Sequence, residues 1–214
     1  MSKVILFQGD SITDAGWPKP TGTNLGHGYA NMVTGALGAQ EPFRYTFYNR
    51  GISGNRIVDL YARMKIDMIN LKPDYMSILV GVNGVWHECS YHNGVDAEKF
   101  ERVYDMLLTE LKEELPDLKL MLLEPFFLPG TATQDIPECP NRLAYYTEQI
   151  PLRRAAVARL AEKHGAVFVP LQDLFNKVNE GAPEGYWLYD GVHPSPAGHE
   201  LIKREWLKAF EQLK

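Results

Sequence analysis

Five short apolar runs restrict the fold of this chain more than any other feature: residues 4–7, 45–48, 75–80, 120–123 and 167–169. None of them alternates apolar with polar residues. Such runs suit strands covered on both faces, as in a parallel sheet, whereas a half-exposed antiparallel sheet would alternate. Between the runs the spacing of apolar residues becomes helical. Ile57, Leu60, Tyr61, Met64 and Met68 share one helical face, and so do Phe100, Val103, Tyr104, Leu107 and Leu111. Ile202, Trp206, Ala209, Phe210 and Leu213 repeat the pattern near the end. Pro73 and Pro116 follow helical stretches, and Gly165 stands where a helix through His164 should end. Ser195-Pro196 reads as the N-cap and first residue of a last helix. This alternation predicts an α/β fold, an open parallel sheet with helices on both faces joined by right-handed crossovers.

Composition bears on partners and compartment. The 214 residues are 45% hydrophobic and 23% charged, as in ordinary globular proteins, and residues 1–214 read as one domain. A net charge of −5 without a long basic run argues against nucleic acid or an anionic membrane as partner. No stretch approaches the roughly 18 apolar residues of a membrane span. The first apolar run stops at Gly9-Asp10, too soon for a signal peptide, so a cytoplasmic protein is expected. Cys89 and Cys139 lack metal-type spacing, and nothing local brings them together.

Four segments are longer than plain connections require: 9–28, 81–95, 125–147 and 181–194. The first three follow predicted strands, and doubly wound sheets bind ligands at those carboxyl ends. The first segment opens Gly9-Asp10-Ser11-Ile12-Thr13-Asp14. A serine there can project its hydroxyl at the sheet edge beside free backbone N–H groups. Alone, the tripeptide serves equally well as a turn former or cap. Other strand-end chemistries fit worse. The glycine–lysine pair of a phosphate-binding loop is missing. Ser11 occupies the second glycine of a dinucleotide fingerprint, and Ile12 the second acid of an Asp-x-Asp phosphotransferase. Gly51-Ile52-Ser53-Gly54 has its second glycine one position early for a G-x-S-x-G elbow.

The last segment carries Asp190-Gly191-Val192-His193. With Ser11 this supplies nucleophile, orienting acid and general base in the chain order Ser, Asp, His. By itself Asp-x-x-His more often holds a turn and caps the next helix. Asn49-Arg50-Gly51-Ile52-Ser53-Gly54-Asn55 and Gly81-Val82-Asn83-Gly84 add glycine N–H groups and an asparagine amide, the donors that a developing oxyanion needs.

Taken as four ordered blocks, these strings resemble the SGNH (GDSL) hydrolase superfamily along the whole chain. The resemblance implies Ser11 as nucleophile, His193 as base and Asp190 as its partner. It also implies an oxyanion hole from Ser11 N–H, Gly54 N–H and the Asn83 amide. The implied fold is a three-layer α/β/α sandwich with a flavodoxin-like five-stranded parallel sheet, and no cofactor is implied. One residue departs from the pattern: Gly84 stands where an aspartate usually follows the asparagine. The longer strings around Gly51 and Asn83 are more similar to the carbohydrate acetylesterases, including acetyl xylan esterases, than to the thioesterases and lysophospholipases. A metal-independent carboxylic ester hydrolase removing acetyl groups from a small-molecule or oligosaccharide ester is therefore expected. The alternatives are a lysophospholipase or thioesterase, and a non-catalytic ligand-binding domain on the same fold.

Other signals point to structure rather than chemistry. His87 and His92 are five apart, not the four that would share a helix face, and Gly81, Gly84 and Gly94 make their segment loop-like. His199 reads as a surface or packing residue of the last helix, and His27 and His164 as turn and cap residues. Trp17, Trp86 and Trp187 fall in the long segments, where an aromatic face suits a sugar ring, although for any single one loop packing or contact with a second copy of the chain outweighs it.

Overall fold

The computed structural model describes residues 2–16 and 25–214. The five apolar runs form β1 (Lys3–Gly9), β2 (Tyr45–Asn49), β3 (Tyr75–Leu79), β4 (Lys119–Leu123) and β5 (Val167–Val169). They pair in parallel, in the order β2-β1-β3-β4-β5. The order reverses between β1 and β3, where Gly9 lies opposite Leu79, and this switch point opens a crevice at the carboxyl ends. The helices are α1 (Ser11–Asp14), α2 (Tyr29–Gln40), α3 (Ile57–Ala62), α4 (Met64–Asp67), α5 (Val82–Tyr91), α6 (Ala97–Glu114), α7 (Arg142–His164), α8 (Gln172–Asn179) and α9 (Pro196–Glu211).

Burial on both faces follows from the two-residue period of a strand. Ile5 and Phe7 of β1 pack with Val33 of α2 and with Ile202, Trp206 and Phe210 of α9. Leu6, between them, joins Met76 and Ile78 against Leu60 of α3, Tyr104 and Leu107 of α6, and Val157 and Leu160 of α7. The result is a three-layer α/β/α sandwich. Helix ends agree with the expected punctuation: Gly165 closes α7 at φ +61°, and Ser195 caps α9 by accepting from Gly198 N–H at 3.2 Å. No described helix is long and apolar enough to cross a membrane.

Two segments differ from expectation. The stripe from Ile57 to Met68 is not one helix, because the chain breaks between α3 and α4 at Arg63. The Arg63 guanidinium reaches into the sheet end, donating to Gln8 Oε1 at 2.6 Å, Asn55 Oδ1 at 2.8 Å and the Arg50 carbonyl at 2.9 Å. Those bonds tie the β1 end to the 50–55 segment. The second difference is larger. Residues 82–91, expected as loop, form helix α5, with Val82, Val85 and Cys89 in the core. Gly84 belongs there for packing: a Cβ would stand 3.1 Å from the Val95 carbonyl, which approaches the helix closely. The long segment after β4 also ends earlier than expected, at the start of α7.

Candidate active site

Ser11 is the first residue of α1, at the carboxyl end of β1, and Asp10 caps that turn by accepting from Ile12 N–H at 3.0 Å. Its Oγ lies 2.9 Å from His193 Nε2. His193 Nδ1 lies 2.7 Å from Asp190 Oδ2, while Asp190 Oδ1 accepts from the N–H groups of Val192 and His193 at 2.9 and 2.8 Å. The tight turn therefore orients the carboxylate before the imidazole is counted. Burial pushes the Asp190 carboxyl up, but the His193 bond and the two N–H groups outweigh it and hold the pKa at about 2. The hydrogen bond that His193 donates to Asp190 raises His193 above its ordinary value, against burial and with help from the charges of Asp190 and Asp10. Asp10 itself is pushed up to about 7 by burial. With Nδ1 donating to Asp190, His193 Nε2 is left to take the Ser11 proton.

The 49–55 segment is locked against α1 by buried Asn49. Its Nδ2 donates to the Thr13 carbonyl at 2.7 Å and the Leu25 carbonyl at 2.9 Å, and its Oδ1 accepts from Gly51 N–H at 2.9 Å. A Cβ on Gly51 would press into the backbone of Thr13 and Asp14. Gly51→Ala is accordingly expected to cost about 1–3 kcal/mol, measured as a lowered Tm. An unchanged Tm would mean that the two segments are not packed this closely. Further along, Asp14 Oδ2 accepts from Ser53 N–H and Oγ at 2.9 and 3.1 Å, which occupies the Ser53 hydroxyl. Gly54 follows at φ +81°, a value that glycine adopts without strain. Asn83, buried at the start of α5, donates one Nδ2 hydrogen to the Asn55 carbonyl at 3.1 Å. That bond fixes the amide beside Gly54 and leaves its second N–H for another acceptor.

The aromatic candidates separate. Trp86 meets the His193 ring edge-on at 5.8 Å, with the Arg142 guanidinium 5.1 Å over its ring. Trp187 is held elsewhere: its indole N–H donates to the Val178 carbonyl at 2.8 Å and its ring packs on Tyr186. It is not among the residues that line the cavity at Ser11, and neither is Trp86. Trp17 lies outside the described residues. That cavity has a volume of about 240 Å³ and is lined by Ser11, Ile12, His27, Tyr189, His193 and His199, among others. Of the two readings of His199, surface or packing, the structure shows packing: the ring is buried and stacked on Tyr29. The available signal was its place in the first turn of α9, directly after the His193 loop. Among the described residues, no three His, Cys, Asp or Glu side chains converge closely enough to hold a metal ion.

Comparison with known proteins gives the family. Residues 7–201 match the model of the GDSL-like lipase/acylhydrolase family. An acetylxylan esterase from Geobacillus stearothermophilus is 34% identical over 95% of this chain and 92% of its own. A crystal structure of an acetylxylan esterase, Axe2, from the same organism superposes with a TM-score of 0.80 at 33% identity, covering 97% of this chain and 93% of that one. The structure of a putative GDSL-like lipase from Parabacteroides merdae has a TM-score of 0.89 at 35% identity, covering 98% and 96%. The chain belongs to the GDSL-like lipase/acylhydrolase family and is a carboxylic ester hydrolase.

Proposed function

We propose that this hydrolase removes acetyl groups from a carbohydrate ester through an acyl-enzyme on Ser11. The observation that carries the reading is the unbroken line from Ser11 Oγ through His193 to Asp190, at 2.9 and 2.7 Å. Ser11 attacks the ester carbonyl as His193 Nε2 takes its proton, and Asp190 holds the imidazole in the productive tautomer. The oxyanion is stabilised by the N–H groups of Ser11 and Gly54 and the second N–H of Asn83. His193 passes its proton to the leaving sugar oxygen, and a water activated by the same residue then releases acetate. The similarity to an acetylxylan esterase supports the sugar acetate.

The test compares acetylated xylooligosaccharides and 4-nitrophenyl acetate with 4-nitrophenyl decanoate and a lysophospholipid. Turnover should be fastest on the acetates; preference for the long acyl chains would sink the reading. Asn83→Ala should lower kcat by about 10²–10³ with little change in KM, because the donor meets charge that develops only in the transition state. Asn83→Asp should be at least as damaging, since a carboxylate repels that charge. A near-normal kcat in a folded alanine variant would remove Asn83 from the hole.

A further inference from the structure

His199 is built to do two things with its two nitrogens. It is buried, 8% exposed, and its Nδ1 accepts from Tyr29 N–H at 3.2 Å. Tyr29 is the first residue of α2, whose own N-cap, Gly28, offers no side-chain acceptor. His199 therefore caps α2 from the neighbouring helix, with its ring stacked on that of Tyr29. An accepting Nδ1 places the proton of the neutral ring on Nε2. Burial, with His193 nearby, lowers the His199 pKa to about 4, so the ring stays neutral wherever His193 works as a base. Nε2–H makes no hydrogen bond to a described residue, and Nε2 is not among the sealed, unpaired polar atoms. The ring lines the cavity that contains Ser11 and His193.

What fills that cavity follows from the order of the reaction. His193 must give its proton to the leaving oxygen, so the alcohol half of the ester lies on the His193 side. The cavity is lined by Ser11 and by His193, the residue that protonates the leaving oxygen, which places the leaving group in it. An acetyl methyl cannot accept from an N–H, whereas a sugar offers hydroxyl and ring oxygens. We propose that His199 is a specificity-determining residue whose Nε2–H donates to an oxygen of the leaving sugar. This rests on the sugar-acetate reading above.

Two substitutions divide the roles. In His199→Asn the amide oxygen replaces Nδ1, which keeps the α2 cap and loses the donor. In His199→Gln the amide nitrogen replaces Nε2, which keeps the donor and loses the cap. The readouts are Tm and the ratio of kcat/KM on an acetylated xylooligosaccharide to that on 4-nitrophenyl acetate. His199→Asn should keep its Tm and lose about tenfold in the ratio, the size of one hydrogen bond. His199→Gln should melt lower yet hold the ratio within about threefold of wild type. An unchanged ratio in His199→Asn overturns the sugar contact, and so does a ratio that falls in both variants only in step with Tm. If the wild type hydrolyses 4-nitrophenyl acetate but no sugar acetate, the sugar-acetate reading itself fails and takes this inference with it.

Discussion

Ser11→Ala should fold with a normal melting curve and lose about 10⁴–10⁶ in kcat, as removal of a serine nucleophile does when the rest of its triad stays in place. Among the described residues the hydroxyl makes one side-chain hydrogen bond, with His193 Nε2, and the His193–Asp190 bond does not depend on it. Little stability is therefore at stake in the change. A serine-reactive phosphonate should label Ser11 and leave Ser53 untouched, because the Ser53 hydroxyl donates to Asp14 and has no imidazole to take its proton. Labelling at Ser53, or a near-normal rate in the alanine variant, would move the nucleophile elsewhere.

Asp190→Asn should have an effect of the same order, about 10⁴ in kcat, because an amide no longer holds the imidazole in the tautomer that presents a basic Nε2. The pH profile gives the sign independently. His193 works as a base when neutral, and Asp190 raises its pKa above the ordinary 6.5. The ascending limb of kcat/KM should therefore lie above that value in the wild type. Removing the carboxylate takes away the main cause of the shift, so the limb should move to lower pH while the plateau falls. A limb that stays in place would show that Asp190 is not the electrostatic partner of His193.

How much of this was legible in the sequence depended on whether the cause was local. The sheet was readable because each strand is covered on both faces, which leaves an unalternating apolar run. Ser11 and the Asp190–His193 pair were readable because each lies in a short contiguous string at a strand or loop end. Helix α5 was not. Its glycines read as loop punctuation, yet Gly84 is present because Val95 packs against the helix, and Gly81 because Pro125 does. The break at Arg63 was hidden for the same reason, since its cause is the distant side chain of Gln8 and the 50–55 segment. The capping contact of His199 was not legible because its partner, the uncapped start of α2, lies 170 residues earlier. Cys89 and Cys139, unrelated by spacing, line one cavity of about 290 Å³ as free thiols. Only the packing of α5 against the segment before α7 brings them together.

The central claim is that the acetyl group passes through Ser11, and the most direct measurement is mass spectrometry of rapidly quenched enzyme during turnover of an acetylated xylooligosaccharide. The account predicts one added acetyl group on the peptide that carries Ser11, appearing with a burst of deacetylated sugar and disappearing when substrate is exhausted. Turnover of that substrate with the Ser11 peptide unmodified at every quench time, or an acetyl group on another residue in its place, would contradict it.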